Sequence, residues 1–311
     1  MTPQYDIIGD IHGHAQALIE LLEHLGYTKS KTGYQHPTRK VIFLGDFIDR
    51  GEHLRQHIEL LSVVMPMVDN GHALAVMGNH EFNALSFHTK HNGMPLRRHN
   101  EKNIKQHLAF LNEFESEPKL KQDVLDFFYR LPLWIELDGL RVVHACWDKR
   151  QIDILQRLTV NQCMTPELLI EANQPESPVY MAIETLLKGV EVNLPFGVSF
   201  KDKDGHCRTA VRIAWWKSDA AHLGEVVLPS NLDIGEANRH SIPASIPKYD
   251  EDDRPCFIGH YWLKGTPKPL THNIACVDYS VAREGKLVAY RWDGEKSLKS
   301  EKFITMKDKE T

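Results

Sequence analysis

Along the first ninety residues one pattern occurs three times: a short apolar run, a loop dense in Gly, Asp, Asn and His, then a segment with helical spacing. The runs cover residues 5–8, 41–44 and 73–77, and their length and β-branched content suit buried strands. Apolar residues at 17, 18, 21, 22 and 25 trace one face of a first helix, which Gly26 terminates. A second helix follows Gly51, with Leu54, Ile58, Leu61, Val64 and Val68 as its apolar stripe and Pro66 bending or ending it. This β-α-β-α-β order predicts a parallel core with functional loops at the carboxyl ends of its strands.

Residues 82–130 turn polar and helical and read as an insertion. Two apolar segments, 133–137 and 140–144, then flank Asp138-Gly139, a two-residue loop of the kind that favours a type I′ hairpin. A second helical insertion is expected over 148–200. A further hairpin around Asp204-Gly205 returns along 209–216, where Trp215 and Trp216 read as packing residues. Residues 229–253 hold prolines and no apolar period, as a mobile loop or substrate flap does. Strands resume at 256–259, 273–279, 286–292 and 298–304. Without a fixed-period repeat or an evident linker, the expectation is a single domain, 1–311, with helical insertions at 82–130 and 148–200.

Composition changes this picture little. Hydrophobic residues at 42% and charged residues at 25% are those of a folded globular chain. The longest apolar stretch, 60–68, falls far short of the roughly 18 residues a membrane span requires. The opening MTPQYDIIGD has neither the basic flank nor the apolar centre of a secretory signal, so a cytoplasmic location is expected. A net charge of −5 gives no general pull on nucleic acid or anionic membrane, and any anionic ligand must be held locally. The five cysteines (Cys146, Cys163, Cys207, Cys256, Cys276) form no CxxC pair, which favours free thiols over a disulfide framework or thiolate zinc site.

The chemistry lies in the loops. After the first run comes GDIHGH, offering Asp10 and His12; after the second, GDFIDRG, offering Asp46, Asp49 and Arg50; after the third, GNHE, offering Asn79, His80 and Glu81. By average residue usage, the five fixed residues of GDxxDRG arise by chance at roughly one position in a few million. Carboxylate, imidazole and amide donors around two close divalent ions generate a bound hydroxide at neutral pH and neutralise phosphate oxygens. A carboxylate such as Asp46 has two oxygens and can bridge two ions. Arg50 presents a planar fork of N–H donors suited to two phosphate oxygens. His80 is free to protonate a departing oxygen, with Asp49 orienting its ring.

These three motifs, GDxHG, GDxxDRG and GNHE, occur intact and in order, and the chain resembles the calcineurin-like metallophosphoesterases, specifically their phosphoprotein-phosphatase branch. The resemblance is close over about residues 6–81 and looser at VVHACWD and FIGHYW, where the family places two further histidines. It implies an α/β fold, a four-layer α/β/β/α metallophosphatase sandwich. It also implies two divalent transition-metal ions, manganese first with iron or zinc as alternatives. Carried over by position, Asp10, His12, Asp46, Asn79, His144 and His260 are the implied ligands, and His80 with Asp49 the implied acid pair. The family also has a second phosphate-binding arginine, for which Arg212 is the candidate here. His144-Ala145-Cys146 stands where family protein phosphatases have His-Gly-Gly. The Gly-His-Tyr-Trp at His260 is similar to the Gly-His-Trp of bacterial diadenosine tetraphosphate hydrolases.

The expected activity is hydrolysis of phosphomonoesters by a dimetal-bound hydroxide, as in serine/threonine protein phosphatases, acting on a phosphoprotein or small phosphoester. A symmetrical dinucleoside polyphosphate (diadenosine tetraphosphate) hydrolase is the alternative, and a non-catalytic scaffold for phosphorylated ligands the second. Membrane and nucleic-acid partners are not expected. Glu81 reads as a structural partner of the site. His88, His91, His99 and His107 read as solvated surface histidines of the polar insertion. Arg97 and Arg98 either begin a solvated helix or meet the distal part of an anionic substrate.

Overall fold

The apolar runs become two stacked sheets. The computed structural model describes residues 4–50, 56–201, 207–283 and 285–306, so Gly51, Leu54 and the Asp204-Gly205 turn lie outside the described residues. The first sheet contains β1 (Gln4–Ile8), β2 (Arg39–Phe43) and β3 (Ala73–Ala75), paired in parallel in the order β1-β2-β3. The second contains β4 (Trp134–Glu136), β5 (Arg141–Val143), β6 (Cys256–Ile258) and β7 (Ile274–Cys276), in the order β7-β6-β5-β4. Its strands β5, β6 and β7 are parallel. Beyond β1, β8 (Asp278–Tyr279), β9 (Lys286–Trp292) and β10 (Phe303–Thr305) extend the first sheet by antiparallel pairing. The apolar segment 273–279 therefore serves both sheets, leaving one after Cys276 and entering the other at Asp278.

Alternation along each strand supplies the core between the sheets. Ile7, Ile42, Leu44 and Val76 meet Val142, Phe257 and Ala275 there, while Ile8, Val41 and Phe43 face the opposite way into a helical layer. That outer layer includes α1 (Ala15–His24) and α2 (His57–Asp69), which contact each other and the first sheet. Three helices follow β3: α3 (Asn79–His88), α4 (Glu101–Glu113) and α5 (Pro118–Tyr129). Against the outer face of the second sheet lie α6 (Lys149–Gln156), α7 (Pro166–Glu171) and α8 (Pro178–Lys188). This is the four-layer α/β/β/α order. Among the described residues no helix is long and apolar enough to cross a membrane, and all five cysteines are free.

Several expectations require correction. Pro66 does not end α2, which continues to Asp69. The proline falls one turn from the helix end, and the carbonyl it leaves without a donor belongs to the exposed Ser62, where water is available. The hairpin at Asp138-Gly139 forms with Trp134 opposite Val143, but neither turn residue adopts the left-handed backbone of a type I′ turn. The glycine serves close packing instead: a Cβ there would lie 2.5 Å from the Trp292 ring. The strand expected over 209–216 is confined to Ala210–Arg212, because the chain turns at Trp215 and Trp216. Both indoles are buried, and Trp215 Nε1 donates to Ala145 O at 3.1 Å. Within 229–253 a short 3₁₀ turn, Gly235–Arg239, forms, and Ile234 and Ala237 pack with Val211 and Ile213.

Candidate metal centre

Five parallel strands from two sheets end at one place. Asp10 and His12 follow β1, Asp46 follows β2, Asn79 follows β3, His144 follows β5 and His260 follows β6. All six side chains are buried. Glycine precedes four of them, and at each a Cβ would collide with neighbouring atoms, at two positions with a site carboxylate. A Cβ on Gly78 would lie 2.3 Å from Asp46 Oδ1, and one on Gly259 would lie 2.1 Å from Asp10 Oδ1.

The backbone here is strained. His12, Asp46, Asp49, Arg50 and His260 have φ of +47°, +50°, +68°, +60° and +71°. Each such non-glycine residue costs on the order of 1–3 kcal/mol, so the surroundings must impose the conformation. Main-chain bonds do part of this: His12 N donates to Asp46 O at 2.9 Å and Gly13 N to Phe47 O at 2.7 Å. Glu81, in the first turn of α3, does more. Its Oε2 accepts from Asp46 N (2.7 Å) and Gly78 N (3.0 Å), and its Oε1 accepts from Phe47 N (2.8 Å). Burial and the Asp46 charge push its carboxyl up to about 8, against the pull of the Phe47 and Asp46 N–H groups.

The donor set fits divalent cations. His12 Nε2 and His260 Nε2 are buried with no hydrogen-bond partner, and a buried ring nitrogen left so is available to a cation. The opposite nitrogens of His12 and His144 lie 2.8 Å from Ile48 O and 2.7 Å from Leu44 O, the backbone anchoring that metal-binding imidazoles use. Asp46 belongs to two groups whose donor atoms lie within 4.8 Å of one another, one with His12 and His80, the other with His144 and His260. His80 is the weaker donor of the first group, because its Nε2 already accepts from Arg50 Nε at 3.1 Å. Asn79 Oδ1 stands between His144 Nε2 (3.2 Å) and His260 Nδ1 (2.8 Å).

The cluster calls for positive charge. Burial and the charges of Asp278 and Asp46 push the Asp10 carboxyl well above its ordinary range. Burial opposes charging His144, but Asp46 and Asp10 outweigh it and raise the imidazole to about 10. Burial alone dominates at His12, pushed down to about 3, which keeps that ring neutral and its lone pair free.

Beside the cluster, His80 Nδ1 meets Asp49 Oδ2 at 2.8 Å, forming the expected pair. Burial would raise the Asp49 carboxyl, yet His107 and His80 hold it below its ordinary range. His107 corrects the surface reading of the insertion histidines. It is 4% exposed on α4, and its Nδ1 meets Asp49 Oδ1 at 2.8 Å. His88 is half-buried, 3.1 Å from His107 Nε2, whereas His91 and His99 are exposed as expected. Arg97 donates to Asn83 and Gln106, tying α3 to α4. On the side of His57, Nε2 accepts from Asp49 N at 3.0 Å and Nδ1 meets Glu113 at 2.7 Å.

The Arg50 guanidinium lies over Trp262 at 4.0 Å. Arg212, across from Glu191, keeps a buried Nε without a partner, and its charge helps push His260 down. Asp278 was not singled out from sequence. A carboxylate in the apolar stretch IACVDY is itself a signal, and here it is buried beside Asp10.

The calcineurin-like phosphoesterase family model matches residues 4–177, and the chain belongs to that family, whose members are metal-dependent phosphoesterases. It is 42% identical over 78 residues to the asymmetrical bis(5′-nucleosyl)-tetraphosphatase PrpE of Halalkalibacterium halodurans, covering 25% of this chain and 30% of that protein. It is 30% identical over 141 residues to the PrpE protein of Oceanobacillus iheyensis, covering 45% of this chain and 54% of that one. The chain thus spans about half or less of the length of the curated relatives it matches. In fold it is similar to a protein serine/threonine phosphatase from Saccharomyces cerevisiae, with a TM-score of 0.51 at 14% identity, covering 99% of this chain and 81% of that one.

Proposed function

We propose that the chain hydrolyses dinucleoside polyphosphates at a pair of divalent metal ions held by Asp10, His12, Asp46, Asn79, His144 and His260. The observation that carries the metal pair is the two unpartnered buried nitrogens, His12 Nε2 and His260 Nε2, in the two groups that share Asp46. Such ions, when bound, supply Lewis acidity and a nucleophile competent at neutral pH. Oxygen and nitrogen donors without thiolate suit manganese, iron or zinc, with manganese the first to test. Arg50 grips phosphate oxygens through the donors that His80 leaves free. His80, oriented by Asp49 through Nδ1, would carry the proton for the departing oxygen on Nε2 once Arg50 Nε no longer donates to that nitrogen. Arg212 contributes its unpartnered Nε beside His260.

The substrate class is supported by relatives named as asymmetrical tetraphosphatases. Asymmetrical cleavage of diadenosine tetraphosphate yields AMP and ATP, whereas symmetrical cleavage yields ADP alone. One observation favours phosphomonoesters, including phosphoserine, as a second reading: the buried His80–Asp49 pair serves a poor alkoxide leaving group better than a nucleotide phosphate.

Chromatography of the products, with metal content followed by elemental analysis, tests both levels. AMP with ATP is expected, and chelation is expected to abolish turnover. ADP alone would make the cleavage symmetrical. Phosphate release from phosphopeptides with diadenosine tetraphosphate untouched would replace the first reading by the second. Full activity in metal-free protein would sink the metal pair.

A further inference from the structure

The loop that carries His260 continues as one wall of a second cavity. After Tyr261 and Trp262, the stretch from Leu263 to Pro267 lines one side, and the chain from β8 through Ser280 to Arg283 forms the opposite wall. Asp278 ties the two walls together. Its Oδ2 accepts from Trp262 N at 2.6 Å, its Oδ1 from Ser280 N at 2.9 Å, and its carbonyl from Leu263 N at 3.0 Å. Trp262 and Ser280 both take left-handed backbone, φ +52° and +61°, so this junction is built rather than incidental.

The cavity measures about 620 Å³. Lys264, Arg283 and Lys286 line it with the hydroxyls of Thr266 and Thr305, and among the described lining residues none is acidic. In a chain of net charge −5 this is a local concentration of cations. Arg283 links the cavity to the metal centre: its guanidinium lies 4.1 Å from the Trp262 ring, against which Arg50 also packs at 4.0 Å. The Arg283 charge is felt at Arg50, which places both in one electrostatic neighbourhood. Two guanidinium groups held against one indole repel each other, and an anionic chain lying across both relieves that repulsion.

We propose that this cavity binds the phosphates of a condensed phosphate chain beyond the phosphate that is attacked, with Arg283 passing the chain from Arg50 to Lys264 and Lys286. The proposal rests on, and deepens, the polyphosphate reading of the metal centre. The shared chemistry is a linear polyphosphate, either within a dinucleotide or as free tripolyphosphate.

The test uses the full, metal-loaded chain and two variants, Arg283→Gln and the more remote Lys264→Gln/Lys286→Gln pair. Each lost charge-assisted contact is expected to raise KM for diadenosine tetraphosphate on the order of tenfold. The change for p-nitrophenyl phosphate, which has no chain to place, is expected to be several times smaller. Equal changes on both substrates, or none on the dinucleotide, would overturn the proposal. If the parent protein leaves the dinucleotide intact, the dinucleotide reading fails, and competition by tripolyphosphate against p-nitrophenyl phosphate decides the cavity. Inhibition weakened on the order of tenfold in both variants would keep the site as one for free polyphosphate. Inhibition unchanged by either variant would refute it, and so would no inhibition in the parent.

Discussion

Replacing Glu81 by Gln changes one atom type and should disable two loops. The carboxyl group accepts three buried backbone N–H groups, two on Oε2 and one on Oε1. An amide can place its oxygen at the Oε2 position and keep the bonds from Asp46 N and Gly78 N. Its NH₂ then faces Phe47 N–H, donor against donor. Two buried donors are left without acceptors, at about 1–3 kcal/mol each, so the loss is about 2–6 kcal/mol. Against a total stability of about 5–15 kcal/mol, that leaves a marginal protein. The strained Asp46 backbone loses one of the constraints that impose it, so metal content should fall with stability. Urea denaturation and elemental analysis of the purified variant measure the two effects together. A variant within about 1 kcal/mol of the parent, with full metal content, would show that Glu81 does not fasten these loops.

Three further outcomes are expected. Asp6, wholly buried on β1, accepts from Arg39 of β2, Arg291 of β9 and the Tyr27 hydroxyl, so Asp6→Asn should cost about 3–5 kcal/mol in denaturant titration. His80→Asn should keep its metals yet lose about 10²- to 10⁴-fold on alkyl phosphates and much less on p-nitrophenyl phosphate, whose leaving group needs no proton. His107→Ala should show the same trend more weakly, about tenfold, since it removes one of the partners that position Asp49; equal losses on both substrates would withdraw the acid role. Burial and the charges of His107, Lys121 and His99 lower the His88 imidazole to about 4 from the ordinary 6.5. Its contribution to stability is therefore present above pH 6.5 and lost as pH falls through about 4, and NMR titration of the ring should find it neutral at pH 5.

The sequence by itself determined the local half of this protein. Asp10 with His12, Asp46 with Asp49 and Arg50, and Asn79 with His80 are each set within a few residues by one strand end and the glycine before it. A short motif therefore contains both the geometry and the chemistry. The apolar runs sufficed for parallel strands because burial on both faces leaves a continuous signature. What only the tertiary structure decided involves partners far apart in the chain. Asp49 and His107 are 58 residues apart, and the histidine is buried because α4 packs its ring against Phe87 and His88 of α3. Nothing in the polar composition of 82–130 distinguishes it from His91 or His99, which stay exposed. Asp278 and Arg283 reach the site because the chain crosses from the second sheet to the first between Cys276 and Asp278. Periodicity marks that segment only as strand. Hydrophobic pattern encodes which face of an element is buried, whereas the identity of the groups it is buried against depends on how separate elements pack.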